Sequence, residues 1–407
     1  MTQEKSTPFS RRSFVKSAAL GASFALMKSK TVFGSEANSA LQMGVIGCGG
    51  RGNNDAGKFV RVTNTQIVAL ADSFQDRLEG FKRSMDERLV EMDRPKIDAS
   101  RLYKGVDGYK ELLASNVDGV IITSPPYFHP LHLDAAVDAG KHVYVEKPVA
   151  TDVVGAKTVI AAGKKAEGKV SIGVGFQIRY SESYRAIAER VHKGDVGDIV
   201  SGMVYYHAGR LDDCARQGAS DGENRLRNWV YDIQLSGDII VEQNIHVIDV
   251  ANWFLQGHPV KATGTGGRKA RTDIGDCWDH FICTYWYPNG AIMDFSSSQF
   301  LKGWGDCRNR LFGTKGVADI AYSGKAKITG DNPFTGETED NLQGAEETKV
   351  AEYFDCIQSG KFINQAAQGA ESTLTSILGR MAAYEGREVT WDEMMKSDQK
   401  FDVQIQL

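Results

Sequence analysis

Between residues 41 and 176, short apolar runs alternate with longer amphipathic stretches. The runs at 43–46, 66–71, 117–123, 141–145 and 170–176 read as buried strands, and 132–139 and 153–166 as helices. Strands that are apolar on both faces and separated by helices pair in parallel, so this pattern predicts a doubly wound parallel sheet. After residue 176 the pattern changes. Segments 199–206, 277–287, 291–300 and 307–312 read as strands joined by turns such as Pro288-Asn289-Gly290, which predicts a large open antiparallel sheet. Helical periodicity returns at 346–359 and 365–385. The expected class is α/β plus α+β, with one domain over 41–176 and a second over 177–407 that ends in helices.

The first apolar run leads into Gly47-Cys48-Gly49-Gly50-Arg51-Gly52. In a dinucleotide-binding turn of the Rossmann type, Gly47 allows the tight strand-to-helix turn and Gly49 lets backbone approach a pyrophosphate. Gly52 lets the new helix sit close to the sheet, with phosphate charge at its N-terminus. The next run ends at Asp72, about twenty residues past the last glycine, where a ribose-binding carboxylate belongs. Asp72 can accept from the 2′- and 3′-hydroxyls and repels a 2′-phosphate. The expected cofactor is therefore NAD rather than NADP, although Ser73 and Arg77 lie close enough to meet a phosphate.

The chain has 407 residues, a formal net charge of −4, 42% hydrophobic and 25% charged residues. Those values fit an ordinary two-domain globular protein, and the absence of a clustered basic face argues against nucleic acid or an anionic membrane as partner. The six cysteines show neither CxxC nor zinc-ligand spacing. At the N-terminus, Ser10-Arg11-Arg12-Ser13-Phe14-Val15-Lys16 precedes a weakly apolar run, 18–27, too short to span a bilayer. This reads as a twin-arginine export signal within residues 1–40; the alternative is an amphipathic arm of the mature protein. A signal of this kind predicts a mature chain starting near residues 35–40, folded before export to the periplasm, carrying its cofactor and free of stable membrane association.

Two further segments carry chemistry. Pro125 and Pro126 follow the strand ending at Thr123, and Glu146-Lys147-Pro148 follows the strand ending at Val145, both where an open parallel sheet binds ligands. Lys147 there can hydrogen-bond a substrate hydroxyl or exchange a proton with it; a solvated loop lysine is the alternative. Segment 236–255 reads as one helix, apolar almost all round, on which Glu242, His246 and Asp249 share a stripe at i, i+4 and i+7. That spacing suits a general base, His246, oriented by a carboxylate. A metal site has no clear third ligand, so no metal is expected.

The glycine turn, Asp72, the Glu146-Lys147-Pro148 motif within 139–148, and the segment with His246 and Asp249 resemble the glucose–fructose oxidoreductase, inositol dehydrogenase and rhizopine-catabolism (Gfo/Idh/MocA) family, over nearly the whole mature chain. The resemblance implies a nicotinamide-binding Rossmann domain, a second domain on an open antiparallel sheet, and sugar, polyol or sugar-derivative substrates. It puts Lys147 at the family's catalytic lysine position and His246 at its catalytic histidine. Glu242, a third catalytic candidate, stands where members often have Asp, and Asn244 replaces a frequent Gly. Cofactor contacts are implied for Gly47, Gly49, Gly50, Arg51, Gly52, Asp72, Thr123, Ser124, Pro125, His129, Glu146 and Lys147.

Substrate contacts are expected from Gln177, Arg179 and Tyr180, from Asp249, and from a long loop at 210–234 in which Trp229 stacks on a sugar face while Arg227 and Asn228 bond hydroxyls. The expected activity is NAD-dependent oxidation of a sugar, glycoside or polyol hydroxyl, with C3 of a pyranose favoured by analogy. The alternatives are an NAD-dependent glycosidase, acting by transient C3 oxidation, elimination and water addition, and a sugar-binding module with a relic cofactor pocket. The family pairs its large sheets across subunits, which implies a homodimer or homotetramer.

Overall fold

The computed structural model describes residues 40–404. The twin-arginine segment and the expected start of the mature chain lie outside those residues. The first half forms a six-stranded parallel sheet in the order β3-β2-β1-β4-β5-β6. Its strands are β1 (Leu41–Ile46), β2 (Thr65–Asp72), β3 (Leu102–Lys104), β4 (Gly119–Ile122), β5 (His142–Val145) and β6 (Ile172–Val174). Helices α1 (Gly50–Val62), α2 (Gln75–Glu91), α3 (Gly108–Ala114), α4 (His129–Asp138) and α5 (Val153–Ala166) connect them. β1 has β2 on one side and β4 on the other, so the chain reverses its direction of winding there, and the crevice at the carboxyl ends of these strands is where such a sheet takes a ligand.

After α6 (Glu182–His192) a nine-stranded sheet begins, in the order β14-β13-β12-β11-β7-β10-β9-β8-β15. Its strands are β7 (Ile199–Gly209), β8 (Lys261–Gly267), β9 (His280–Trp286), β10 (Ile292–Leu301), β11 (Asp306–Gly313), β12 (Gly316–Ala321), β13 (Lys327–Gly330), β14 (Phe334–Thr335) and β15 (Val389–Thr390). The sheet is mixed rather than purely antiparallel, because β7 pairs antiparallel with β11 and parallel with β10. The reason is topological. β10 and β11 are joined by a short turn and run in opposite directions, so a strand inserted between them must be parallel to one of them.

Two further expectations change. The single helix over 236–255 is three pieces: α8 (Ile233–Ser236), α9 (Ile239–Glu242) and α10 (Ile245–Leu255). Gly237 ends the first piece in the left-handed conformation, and the Asp238 carboxylate caps the second through Ile239 N–H. The 210–234 segment is not wholly loop, since Ser220 caps α7 (Asp221–Arg227) by accepting from Glu223 N–H.

Of the last long helices, α11 (Ala345–Gln358) packs against α1 of the first domain, and α12 (Ala366–Glu385) lies between α5 of the first domain and β8 of the second sheet. Val350 and Tyr353 of α11 are buried in one cluster with Phe59 and Tyr144. A boundary at 176/177 thus separates the sheets while the packing crosses it. A final short helix, α13 (Trp391–Lys396), follows β15.

Candidate functional site

The glycine turn is fitted to its surroundings on one side and open on the other. A Cβ at Gly47, where φ is +98°, would lie 2.5 Å from Ser124 N, and one at Gly52 would lie 2.3 Å from Gly47 O. At Gly49 and Gly50 a Cβ would meet nothing within 4 Å. Helix α1 begins on this open side with no side-chain cap and no acidic residue in its first turn. Its leading N–H groups and positive dipole end suit a diphosphate. Asp72 closes β2 and accepts from Cys48 N–H (2.7 Å) and Phe74 N–H (2.9 Å), one bond per carboxylate oxygen. Burial pushes its pKa up, and these two N–H groups pull it back. Each oxygen keeps a lone pair for a ribose hydroxyl.

Gly47, Gly49 and Asp72 open onto a cleft that is also lined by Phe74, Arg77, Tyr109, Thr123, Ser124, Pro125, His132, Leu226, Arg227 and Trp229. Its lining, with the glycine turn at one side and Asp72 at the strand end, suits a dinucleotide. The buried Nε2 of His132 has no partner. Burial, helped by nearby His129, pulls this imidazole down to about 3, so it is neutral. Arg227 corrects its expected role. Its guanidinium pairs with Asp76 (2.7 Å) and Glu223 (2.7 Å) and lies 4.0 Å from the Phe74 ring centre, on the wall of the cofactor cleft. Arg216 also pairs with Asp76 (2.6 Å), so the segment before α8 is strapped to the first turn of α2. Asn228 lies outside the cleft linings and ties down its own loop through Asp213 and Cys214 N–H.

Thr123, Ser124 and Trp229 also line a second cleft, so the two adjoin. The second cleft brings together Arg51, His129, Glu146, Lys147, Gln177, Glu242 and His246. Lys147 Nζ donates to the Glu242 carbonyl (2.7 Å) and Oε1 (3.0 Å). The Lys147–Pro148 peptide bond is cis. His129 bonds the Ser124 and Pro148 carbonyls, each at 2.7 Å. Two carbonyl acceptors call for both ring N–H groups, against the downward push that burial gives its pKa. His129 therefore braces the loop with its two nitrogens already engaged.

The expected carboxylate partner of His246 is a correction. The break between α9 and α10 takes Glu242 off the helix that carries His246, and Glu242 bonds Lys147 instead. Asp249 is fully buried, held by Arg179 Nε and Nη2 (2.8 and 2.9 Å) and by Ser372 Oγ (2.6 Å). Neither Asp249 nor Arg179 lines the cleft, and Tyr180, whose hydroxyl accepts from Gln365, is packing as well. His246 Nδ1 has no partner. Burial first, and Lys147 second, push the His246 pKa well below its ordinary value, leaving a neutral imidazole. Asn244, one residue before α10, is buried with its amide unpaired.

Sequence reasoning missed Phe74, Tyr109, His132, Leu226 and Asp76. Phe74 and Asp76 sit just past Asp72 and could have been reached from it, whereas Arg227 meets Asp76 across 151 residues with no local signal. Among the described residues there is no group of three or more His, Cys, Asp or Glu that could hold a metal, and no helix long and apolar enough to cross a membrane.

Residues 41–174 match the model of an oxidoreductase family with an NAD-binding Rossmann fold, and residues 184–319 match the GFO/IDH/MocA C-terminal domain. Inositol 2-dehydrogenase of Pseudomonas fluorescens is 24% identical over 330 residues, 79% of this chain and 88% of that protein. Inositol 2-dehydrogenase 3 of Saccharopolyspora erythraea is 32% identical over 255 residues, 62% of this chain and 65% of that protein. Among solved structures, aldose–aldose oxidoreductase from Caulobacter crescentus superposes with a TM-score of 0.69 at 20% identity, covering 86% of this chain and 100% of that one. Levoglucosan dehydrogenase with NADH and levoglucosan gives 0.67 at 17% identity, covering 86% of this chain and 99% of that one. At these identities the structural likeness is one of fold.

Proposed function

The chain belongs to the Gfo/Idh/MocA family of NAD-binding oxidoreductases, and on that premise we propose that it oxidises a ring hydroxyl of a cyclic polyol or sugar. The observation that carries this reading is the adjacency of the two clefts: the one lined by Gly47, Gly49 and Asp72 shares Thr123, Ser124 and Trp229 with the one that holds Lys147 and His246. The relatives named as inositol 2-dehydrogenases, and the fold neighbour holding NADH with levoglucosan, support the substrate class.

When bound, NAD supplies a hydride acceptor. The protein supplies the rest. Gly49, Gly50 and the α1 N-terminus receive the diphosphate, and Asp72 the ribose. Lys147, fixed by Glu242, holds the substrate oxygen and stabilises the negative charge that develops on it. His246 takes the hydroxyl proton, and its neutral ring is in the right state to do so. Gln177 and Trp229 contact the sugar ring. With purified protein, inositols and pyranosides should generate absorbance of reduced nicotinamide together with a keto product. Release of an aglycone without net reduction of the cofactor would contradict a dehydrogenase.

Export by the twin-arginine route to the periplasm, with the cofactor already bound, belongs to the same proposal. The Arg11-Arg12 segment supports it, and so does the strap made by Arg216, Arg227 and Asp76, since a periplasmic enzyme must retain its nicotinamide. A homodimer or homotetramer formed through the outer face of the second sheet completes the reading. That face leaves Met203, Ile282 and Ile292 between 40% and 53% exposed, a surface that a partner would cover. Sedimentation of a monomer at micromolar concentration would count against it.

A further inference from the structure

From Arg51 and Glu146 in the wall of the second cleft a group of charges runs inward that the proposed reaction does not use. Asp55 of α1 is 0% exposed, Lys349 of α11 1% and Glu146 4%. Arg51 joins Glu146 (2.8 Å) to Glu346 (2.8 Å) and passes 3.2 Å from Asp55. Lys58 pairs with Glu346 at the outer end. Lys349 Nζ lies 3.6 Å from Glu146 Oε1 and 5.1 Å from the centre of the Tyr144 ring, and it has no hydrogen-bond partner. The Tyr144 hydroxyl donates to Glu146 (3.2 Å).

Asp55 and Glu146 are two buried carboxyls on one guanidinium, Asp55 at Arg51 Nε and Glu146 at Arg51 Nη2. Two buried carboxyls this close resist ionising together, so one of them holds its proton to a higher pH. Burial raises both. Arg51, Lys349 and Lys147 outweigh it at Glu146 and hold that group ionised, while Asp55 is pushed up to about 7. The proton therefore belongs to Asp55. Burying the three charged side chains of Asp55, Glu146 and Lys349 is expensive, and they lie beside the apolar cluster of Phe59, Tyr144 and Tyr353.

What the cluster reaches is His246. Arg51, Glu146, Lys147, Glu242 and His129 line the same cleft as His246, and Lys349 stands against Glu146; after burial, Lys147, Arg51 and Lys349 push the imidazole down and Glu146 pushes it up. We propose that Lys349 and Asp55, carried by helices from opposite ends of the chain, are positioning residues for the proton acceptor. A buried ammonium and the proton on Asp55 fix the charge of Glu146 directly behind Lys147, and so the charge that His246 experiences. This rests on the reading of His246 as the base.

The test follows the His246 imidazole resonance by NMR against pH in the NAD-bound protein, with His246→Gln to assign the signal. Lys349→Met removes a cation and should raise the midpoint by about one pH unit, and Lys349→Arg should restore it. Asp55→Asn keeps the shape and the neutral charge; it should leave the midpoint in place and remove a small second inflection near pH 7. A midpoint unmoved in Lys349→Met, or an inflection that survives Asp55→Asn, would overturn the inference. If Lys349→Met does not fold, the Asp55→Asn inflection decides alone. Turnover is not read here, so an enzyme inactive on every polyol would refute the proposed reaction and leave this result standing.

Discussion

The two adjoining clefts are built from different materials. The cofactor cleft depends on backbone: glycines that cannot accept a Cβ on one side, an uncapped helix start, and a carboxylate whose oxygens take local N–H groups. The cleft beside it depends on side chains that meet from distant parts of the chain, such as Lys147 and Glu242, 95 residues apart. The first tolerates little change in shape and the second little change in charge. Substitutions should therefore fail in different ways on the two sides.

The largest expected effect is on the charged side. Lys147→Met should lower kcat by about a thousandfold, because a donor aimed at developing charge is lost, while NAD affinity stays within about threefold. Turnover and cofactor titration on the same preparation check this. A parallel loss of NAD binding would mean that Lys147 belongs to the cofactor cleft, and the contrast would fail.

On the backbone side, Gly47→Ala and Gly49→Ala should separate. Ala at 47 meets backbone atoms of 123 and 124 at a φ of +98° and should cost about 3 kcal/mol of stability. Ala at 49 has open space and should leave stability within about 0.5 kcal/mol while weakening NAD binding about tenfold or more. Denaturant unfolding and cofactor titration read the two losses separately.

Asp72→Ser should narrow the preference for NAD over NADP by about a hundredfold, since a carboxylate beside a doubly charged phosphate costs a few kcal/mol even at high effective dielectric. Paired titrations of apo-enzyme measure it. The smallest effect belongs to the strap. Asp76→Asn should speed cofactor release about fivefold with kcat little changed, because the pairs it breaks are partly solvated. Stopped-flow displacement of bound cofactor would show it.

The same contrast explains what was legible in the sequence. Gly47, Gly49, Gly52 and Asp72 act through local backbone geometry at fixed spacing, and the first sheet follows from uninterrupted apolar runs. Strand β7 could not be given its parallel partner, because its insertion between β10 and β11 is a long-range event. The stripe of Glu242, His246 and Asp249 followed from an unbroken helix, and the turn at Gly237 and Asp238 together with the break after Glu242 undid it. Arg179 and Asp249 look like ligand-binding residues in a list of charges; only their mutual pairing shows that they bind each other. Short or glycine-rich strands such as β3 and β8 carried too little apolar pattern to be read.

The central claim is that the two clefts work as one site, with NAD in the first and a ring hydroxyl held by Lys147 and His246 in the second. The most direct measurement incubates NAD-loaded protein with a panel of inositols and pyranosides and follows reduced nicotinamide and keto product together. The account predicts equimolar appearance of both with at least one member of the panel, and loss of both in Lys147→Met. Protein that binds NAD with the expected preference, yet reduces it with none of these compounds, would contradict it.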